Sequence, residues 1–397
     1  MKPLASRTDG LRQSGIRAVT QLVNQYNGIN MGQGICDLPA PDPVKQGAID
    51  AITGDQSVYS YHSGISELRQ RTLRKFQTFN RIPCSSEEEV MITNGSTGAF
   101  VAACLTLLEP GDEVIQFEPF YGYHVQLLKV LGFKPKFVPL RGRSWEVDFD
   151  ALRAAIGPRT KAVVVTNPGN PNGKVWQEAE LKQLLRVLQE HDLWAFTDEV
   201  YEFMTYDGNR HLSLAALPSG WERTVTMSSF SKTYNMTGWR LGSAVAPAHI
   251  IEKMGLINDL IYICPPTPLQ HGLAQAFDLP ESYFTQLAAD YNRKRSLFCE
   301  ALSEAGFDFD PPQGAYYVFA SFEPLHRAGI AGFENDEAAC HTLIRETGIG
   351  TVPGRSFFSD PAQGRFWLRF CYAKEYPVLE RACTALRNFG QRCRLKS

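Results

Sequence analysis

No charge of one sign dominates this chain of 397 residues: 40 Lys and Arg stand against 42 Asp and Glu, for a net charge of −2. There is no stripe of basic residues of the kind that neutralises a phosphate backbone, so nucleic acid is not an expected partner. Apolar runs are short. The longest covers residues 99–108, about half of the ~20 residues a spanning helix needs, and residues 1–7 carry no apolar signal stretch, so no membrane partner is expected. The nine cysteines are odd in number, scattered, and contain no CxxC pair, which excludes a disulfide framework and a zinc knuckle. They read as reduced thiols, mostly in the core, and a soluble, cytoplasmic protein is expected. The eight histidines lack metal-ligand spacing, no GxSxG turn occurs, and residues 169–175 fail the P-loop pattern. Zinc, serine-hydrolase and NTPase chemistries therefore lack a motif, and no metal site is expected. Internal repeats and low-complexity tracts are also missing.

What is present is an alternation of apolar strands and helical patterns. An amphipathic arm is predicted from Ser14 to Asn27, with Ile16, Val19, Leu22 and Val23 as its apolar positions, followed by the turn Met31-Gly32-Gln33-Gly34. Helices are predicted from Pro43 to Thr53 and from near Glu67, with the polar, aromatic loop Tyr59-Ser60-Tyr61-His62-Ser63-Gly64 between them. From residue 89 the order is strand (89–93), turn (94–98), buried helix (99–108), then strands near 113–117, 135–140 and 161–166. A helix over 178–190, with Leu181, Leu184, Leu185 and Leu188 on one face, precedes strands at 194–197, 224–228 and 241–246. Such alternation implies an α/β fold with a mostly parallel central sheet covered by helices on both faces, where ligands sit at the carboxyl ends of the strands. Beyond residue 281 long helices accompany a few strands near 316–320 and 366–372, which suggests a smaller α+β unit. The domains are accordingly expected at 45–280, large and cofactor-binding, and at 1–44 plus 281–397, small and including the arm.

The loops at those strand ends carry the polar chemistry. Ser229, Lys232 and Arg240 lie in one stretch: the lysine can form a Schiff base with an aldehyde, while the serine and the arginine can bind a phosphate. Pyridoxal phosphate presents both groups; a basic loop with a solvated lysine is the other reading. At Gly95-Ser96-Thr97 a helix start offers free amides worth about +0.5 charge, to which Arg240 adds a full one, a balance suited to a monophosphate, although Ser and Thr there also serve as plain caps. The hydroxyls of Ser96, Thr97, Ser229 and Tyr59 can satisfy further phosphate oxygens. Asn167 to Gly173 is a rigid loop of two prolines, two glycines and three asparagines that can hold an amide against a ligand or simply turn the chain. Asp198 ends a buried strand, where its charge needs a cation or donor such as a pyridinium N–H; Tyr201 could donate to a ring oxygen, or both could be a helix cap and a rim tyrosine. Tyr121 could stack on a flat ring or fill the core. Arg369, in an otherwise apolar strand, needs an anion, either a structural carboxylate or a substrate's.

Taken in order, these motifs resemble the class I and II pyridoxal-phosphate aminotransferases of fold type I. The likeness runs from Ser14-Gly15-Ile16-Arg17 to Arg369. It includes Tyr59, Gly64, Leu68 and Arg69; Gly95-Ser96-Thr97; Tyr121; the "NP-x-NP-x-G" loop of Asn167 to Gly173; "DE-x-Y" from Asp198 to Tyr201; and Ser229, Lys232 and Arg240. The resemblance implies a cofactor, pyridoxal 5'-phosphate, held covalently by Lys232, which also moves the proton at the substrate Cα. It implies that Asp198 holds the ring nitrogen, Asn170 and Tyr201 the ring oxygen, Tyr121 one ring face, and Gly95, Ser96, Thr97, Ser229 and Arg240 the phosphate. Arg369, with Gly34 and Asn170, would bind the substrate. The implied reaction is ping-pong transfer of an α-amino group from an amino acid to a 2-oxoacid, 2-oxoglutarate or pyruvate, in a homodimer whose Tyr59 reaches the neighbouring subunit's phosphate. Two departures stand out. Asn172 replaces a threonine common in the family, and Gly34-Ile35-Cys36-Asp37 replaces "G-x-P-D". A C–S β-lyase on the same fold and a non-catalytic binding or regulatory protein are the competing readings, the latter disfavoured by the retained Lys232.

Overall fold

The structure, a computed structural model, describes residues 2, 4–9 and 15–394. Residues 1 and 3 of the N-terminal segment and Ser14, where the arm is predicted to begin, lie outside the described residues. The arm helix is described as Gly15–Gln25, and Val19 and Val23 on it are buried.

An eight-stranded sheet forms the centre. Its spatial order is Val90–Asn94, Leu241–Val245, Thr224–Ser229, Trp194–Asp198, Thr160–Thr166, Glu113–Glu118, Lys134–Arg141 and Glu146–Val147. The five strands from Thr224–Ser229 to Lys134–Arg141 pair in parallel, and the mainly parallel α/β architecture expected from the alternation is the one observed. Runs such as Ala162-Val163-Val164-Val165 are buried throughout, because helices cover both faces of a parallel sheet and leave neither for water. On Glu178–Glu190 the buried residues include Leu181, Leu184, Leu185 and Leu188, each contributing about 1.5–3 kcal/mol by its burial. Gln177 and Glu180 close a capping box at the start of that helix, satisfying amides that would otherwise lack partners.

Two strands run against the others: Glu146–Val147 at one edge, and the strand next to the opposite edge. Leu241–Val245 is antiparallel to both Val90–Asn94 and Thr224–Ser229, so it begins at the edge where its neighbours end. Arg240, immediately before it, is thereby delivered to the same edge as Asn94, Asp198 and Ser229. The predicted turn over 94–98 is corrected here: the helix is Gly95–Leu107 and begins directly after the strand. Gly95 takes a φ of +71°, and glycine alone enters that region at no steric cost. That glycine obscured a helix that its buried alanines and Val101 support.

The C-terminal part carries a second sheet in the order Tyr317–Ser321, Trp367–Cys371, Val352–Pro353, all antiparallel. Helices Glu281–Glu304, Asp336–Thr347 and Tyr376–Arg394 pack on it. Ile29–Asn30 pairs in parallel with Ile349–Gly350, which ties the segment before Gly32 to this part of the chain. Among the described residues, no helix is long and apolar enough to cross a membrane. Among the described residues no disulfide is formed, and seven of the nine cysteines are buried.

Candidate active site

A cavity of about 320 Å³ opens at the strand ends, within the size range of small-molecule sites. Gly34, Ser96, Thr97, Tyr121, Asn170, Asp198, Tyr201, Ser229, Lys232, Arg240 and Arg369 all line it. Of the remaining predicted residues, Gly95 lies directly behind Arg240, and Tyr59 does not line the cavity of its own chain. Its ring stands at the surface, 76% exposed.

Lys232 lies on the short helix Phe230–Thr233 that follows Thr224–Ser229. Its Nζ donates to the Gly34 carbonyl at 2.9 Å, and the Tyr316 hydroxyl donates to the same oxygen at 2.9 Å. Burial lowers the ammonium from 10.5 to about 8, because a charge is poorly stabilised away from water. The lysine is half-buried at the cavity wall and bonded to a backbone carbonyl, not extended from an open basic loop. Gly34 admits no larger residue, since a Cβ there would stand 2.0 Å from the Tyr317 hydroxyl oxygen.

At one end the first turn of Gly95–Leu107 faces the cavity through Ser96 and Thr97, and its N-cap residue, Asn94, makes no side-chain capping bond. Arg240 lies over this turn: a Cβ on Gly95 would meet its Nη2 at 2.5 Å, and one on Gly242 would meet Ser96 N at 2.6 Å. Backbone amides, two hydroxyls and a guanidinium thus converge where side chains are missing, which is the donor set of an anion cradle. Arg240 adopts a left-handed φ of 58°, held by its own Nη1 bond to the Thr237 carbonyl at 3.0 Å. Ser229 has a second duty, since its hydroxyl accepts from Ser231 N at 3.2 Å.

Asp198 is the last residue of its strand, 4% exposed. Its Oδ2 lies 3.1 Å from His124 Nε2, while Oδ1 is buried with no partner among the described residues. A buried carboxylate oxygen in that state calls for a donor from a ligand. Sequence reasoning missed His124. It sits on Gly122–Leu131 with its ring stacked on Phe100 at 4.5 Å and edge-on to Tyr121 at 5.1 Å; its place three residues after Tyr121 was the only available signal. Tyr201 hydrogen-bonds Tyr317 hydroxyl to hydroxyl at 2.9 Å. Burial, then the neighbouring Tyr317, holds Tyr201 well above the usual phenol range, so it stays a neutral donor.

Arg369 Nη1 donates to Asn170 Oδ1 at 2.9 Å and Nη2 to the Gly32 carbonyl at 2.6 Å. Its guanidinium lies 4.4 Å from the Tyr317 ring centroid. Nε is buried without a partner, and among the described residues Arg369 forms no ion pair. The structural-carboxylate alternative is therefore absent, and a buried cation of this kind suits a ligand carboxylate. The loop carrying Asn170 is pinned by Asn167, whose amide N donates to the Asp198 carbonyl at 2.9 Å and whose Oδ1 accepts from Trp176 N at 3.1 Å. Asn172 accepts from Lys174 N at 3.2 Å, so the departure from threonine keeps a side-chain acceptor in the loop.

The comparisons with known proteins agree with this geometry. The profile of the family described as aminotransferase class I and II matches residues 26–386. The chain is 30% identical to human kynurenine–oxoglutarate transaminase 1 over 412 aligned positions, covering 97% of this chain and 98% of that one. It is 32% identical to aromatic-amino-acid aminotransferase 2 of Thermococcus litoralis, with 96% of each covered. The solved structure of N-succinyldiaminopimelate aminotransferase from Mycobacterium tuberculosis superposes with a TM-score of 0.91 at 31% identity, over 98% of this chain and 100% of that one. The chain belongs to the class I and II aminotransferase family and is an aminotransferase acting on amino acids and 2-oxoacids.

Proposed function

We propose that this aminotransferase uses pyridoxal 5'-phosphate and works by ping-pong exchange between an amino acid and a 2-oxoacid, 2-oxoglutarate or pyruvate, in a cytoplasmic homodimer. The observation that carries the reading is the disposition of unmet groups around Lys232. An anion cradle, a half-partnered Asp198 and an Arg369 without an ion pair all line the cavity of one half-buried amine. These residues fit the cofactor's phosphate, ring nitrogen and aldehyde, and the substrate's carboxylate. When bound, the cofactor supplies an aldehyde that condenses with amines and a protonated ring that draws electrons from the substrate Cα.

The chain's own residues divide the remaining work. Lys232 Nζ would hold the aldehyde carbon and, displaced there by the substrate amine, would take the proton from the substrate Cα and deliver it to that former aldehyde carbon, the reverse transfer serving the incoming oxoacid. A lysine near 8 is partly neutral at physiological pH, as a proton carrier must be. Asp198 Oδ1 keeps the proton on the ring nitrogen while His124 steadies Oδ2. Asn170 has given its Oδ1 to Arg369, which leaves its amide nitrogen to donate to the ring oxygen beside Tyr201. Tyr121 covers a ring face, and Ser96, Thr97, Ser229, Arg240 and the amides from Gly95 onward hold the phosphate. Arg369 binds the α-carboxylate next to Gly34, which orients the Cα–H bond. Residues 45–280 act as the cofactor-binding domain and 1–44 with 281–397 as the small domain, a division supported by the pairing of Ile29–Asn30 with Ile349–Gly350. Tyr59 completes the neighbouring subunit's phosphate site. The exposed Val58, Tyr59, Tyr61, Leu260 and Ile261 give a second copy an apolar surface to cover.

The test is spectroscopic. Added cofactor should shift its visible absorbance on the wild-type protein and not on Lys232→Ala, and an amino donor should then convert the bound form with release of an oxoacid. An unchanged spectrum on the wild type, or pyruvate and ammonia formed without a new amino acid, would overturn the reading in favour of a binding protein or a lyase.

A further inference from the structure

The cavity has a part that none of these roles uses. The segment from Gly32 to Ile35 runs between the two groups that define substrate position: the Gly32 carbonyl takes Arg369, and the Gly34 carbonyl takes Lys232. Ile35 follows at once, lines the cavity and is 43% exposed. Tyr123 also lines it, 52% exposed, with its ring stacked on Tyr121 at 5.4 Å and an interplanar angle of 19°. Large apolar side chains left uncovered in a concave site, beside the groups that fix a substrate's backbone, mark where an apolar part of the ligand lies.

The charges of the lining point the same way. Its cations are Lys232, Arg240 and Arg369. Arg240 is packed on Gly95 at the anion turn, Arg369 is fixed between Asn170 and Gly32, and Lys232 is the amine itself. Among the described residues, no other Lys, Arg or His lines the cavity. Gln33, the polar neighbour on this segment, already donates through Nε2 to Thr20 Oγ1 at 3.1 Å. A second carboxylate on a substrate would therefore lose water against Ile35 and Tyr123 with no cation of this chain in return, which is costly.

Resting on the aminotransferase reading of this site, we infer that Ile35 and Tyr123 form the side-chain wall and select amino donors with uncharged apolar or aromatic side chains over aspartate and glutamate. The same wall meets the acceptor. Neutral oxoacids such as pyruvate are thus preferred to 2-oxoglutarate, which narrows the pair proposed above.

The experiment is single-turnover conversion of the holoenzyme by a panel of donors, read from the cofactor spectrum. Phenylalanine and methionine should exceed aspartate and glutamate in kcat/KM by at least about 100-fold, the discrimination a pocket of this kind provides. Tyr123→Ala should lower the phenylalanine-to-alanine ratio by about 10-fold, mostly through KM, because stacking on an aromatic face is lost. Ile35→Arg, which supplies the missing cation at an exposed position, should raise the aspartate-to-phenylalanine ratio by about 10-fold or more. Aspartate reacting within threefold of phenylalanine would overturn the inference, as would an unmoved ratio in folded Ile35→Arg. If cofactor binds but no donor converts it, the underlying aminotransferase reading falls and takes this inference with it.

Discussion

Two buried charged clusters share the five residues from Asp198 to Glu202, and they have opposite characters. Asp198 and Tyr201 face the cavity, where Asp198 Oδ1 and Arg369 Nε have no partner among the described residues. Glu199 and Glu202 lie in a second cluster, whose Lys75 also lines a separate cavity of about 510 Å³. In this cluster Glu199 Oε2 accepts from Ser213 at 2.5 Å, His211 at 2.8 Å and Asn80 at 3.2 Å. Glu202 takes Lys75 Nζ at 2.5 Å and the Ser228 hydroxyl at 2.6 Å through Oε1, and Asn80 at 2.8 Å through Oε2. Asn80 Oδ1, His211 Nδ1 and Lys75 Nζ are the buried atoms of this cluster without a hydrogen bond, and the lysine's charge is matched by its ion pair with Glu202. The ligand atoms of Glu199, Glu202 and His211 lie within 4.8 Å of one another, yet Lys75 already supplies the cation that two acids and a histidine would otherwise seek. Buried charge by itself therefore does not mark a functional site. What marks it is buried charge left unmatched at the edge of a space.

The contrast can be broken at either cluster. In the matched one, Lys75→Met should strand a buried carboxylate and destabilise the protein by about 3–5 kcal/mol, measured from the denaturant midpoint at neutral pH. Burial pushes the Glu202 carboxyl up, but Lys75, His211 and Ser228 together outweigh it and hold the group below its ordinary range. That stability is present above the unfolded carboxyl value and is lost as pH falls through the folded one, so the cost of Lys75→Met should shrink in acid. An equal cost at all pH values would show that the lysine acts by packing alone.

In the unmatched cluster the effects should appear in rate. Asp198→Asn keeps a partner for His124 and removes the charge; the first half-reaction should slow by about 10²–10³-fold, while unfolding free energy moves by less than about 1 kcal/mol. Lys232→Met should do the reverse to stability. Because Lys232 is lowered from 10.5 to about 8, the unfolded chain binds more protons between those values. The penalty of burying the lysine is thus complete below about pH 8 and fades toward 10.5. The cofactor-free variant should be more stable than its parent by about 1–3 kcal/mol at pH 7, with the gain falling by pH 10. The smallest effect is expected at Asn172→Thr, where one acceptor replaces another: stability should change by less than about 0.5 kcal/mol, and kcat/KM by less than about twofold.

Much of the unmatched cluster was legible before folding. Lys232, Asp198, Asn170 and Arg369 each follow or occupy an apolar strand, and that position makes a polar residue conspicuous. The matched cluster was not legible, because Lys75, Asn80, His211 and Ser213 sit in ordinary polar stretches and become a network only when helix Ser66–Thr78 packs beside the 199–202 turn. His124 escaped for the same reason. The helix start at Gly95 was hidden by glycine, whose weak helix propensity outweighs the buried alanines when neighbours are judged one by one.

The order of the elements, the parallel character of the sheet and the identity of the candidate site residues were determined by the sequence, since hydrophobic period and strand-end polarity are local properties of the chain. The tertiary structure alone decided which of the buried charges are neutralised. Pairing depends on distances across segments far apart in the chain, and on whether packing closes the space between them or leaves it open.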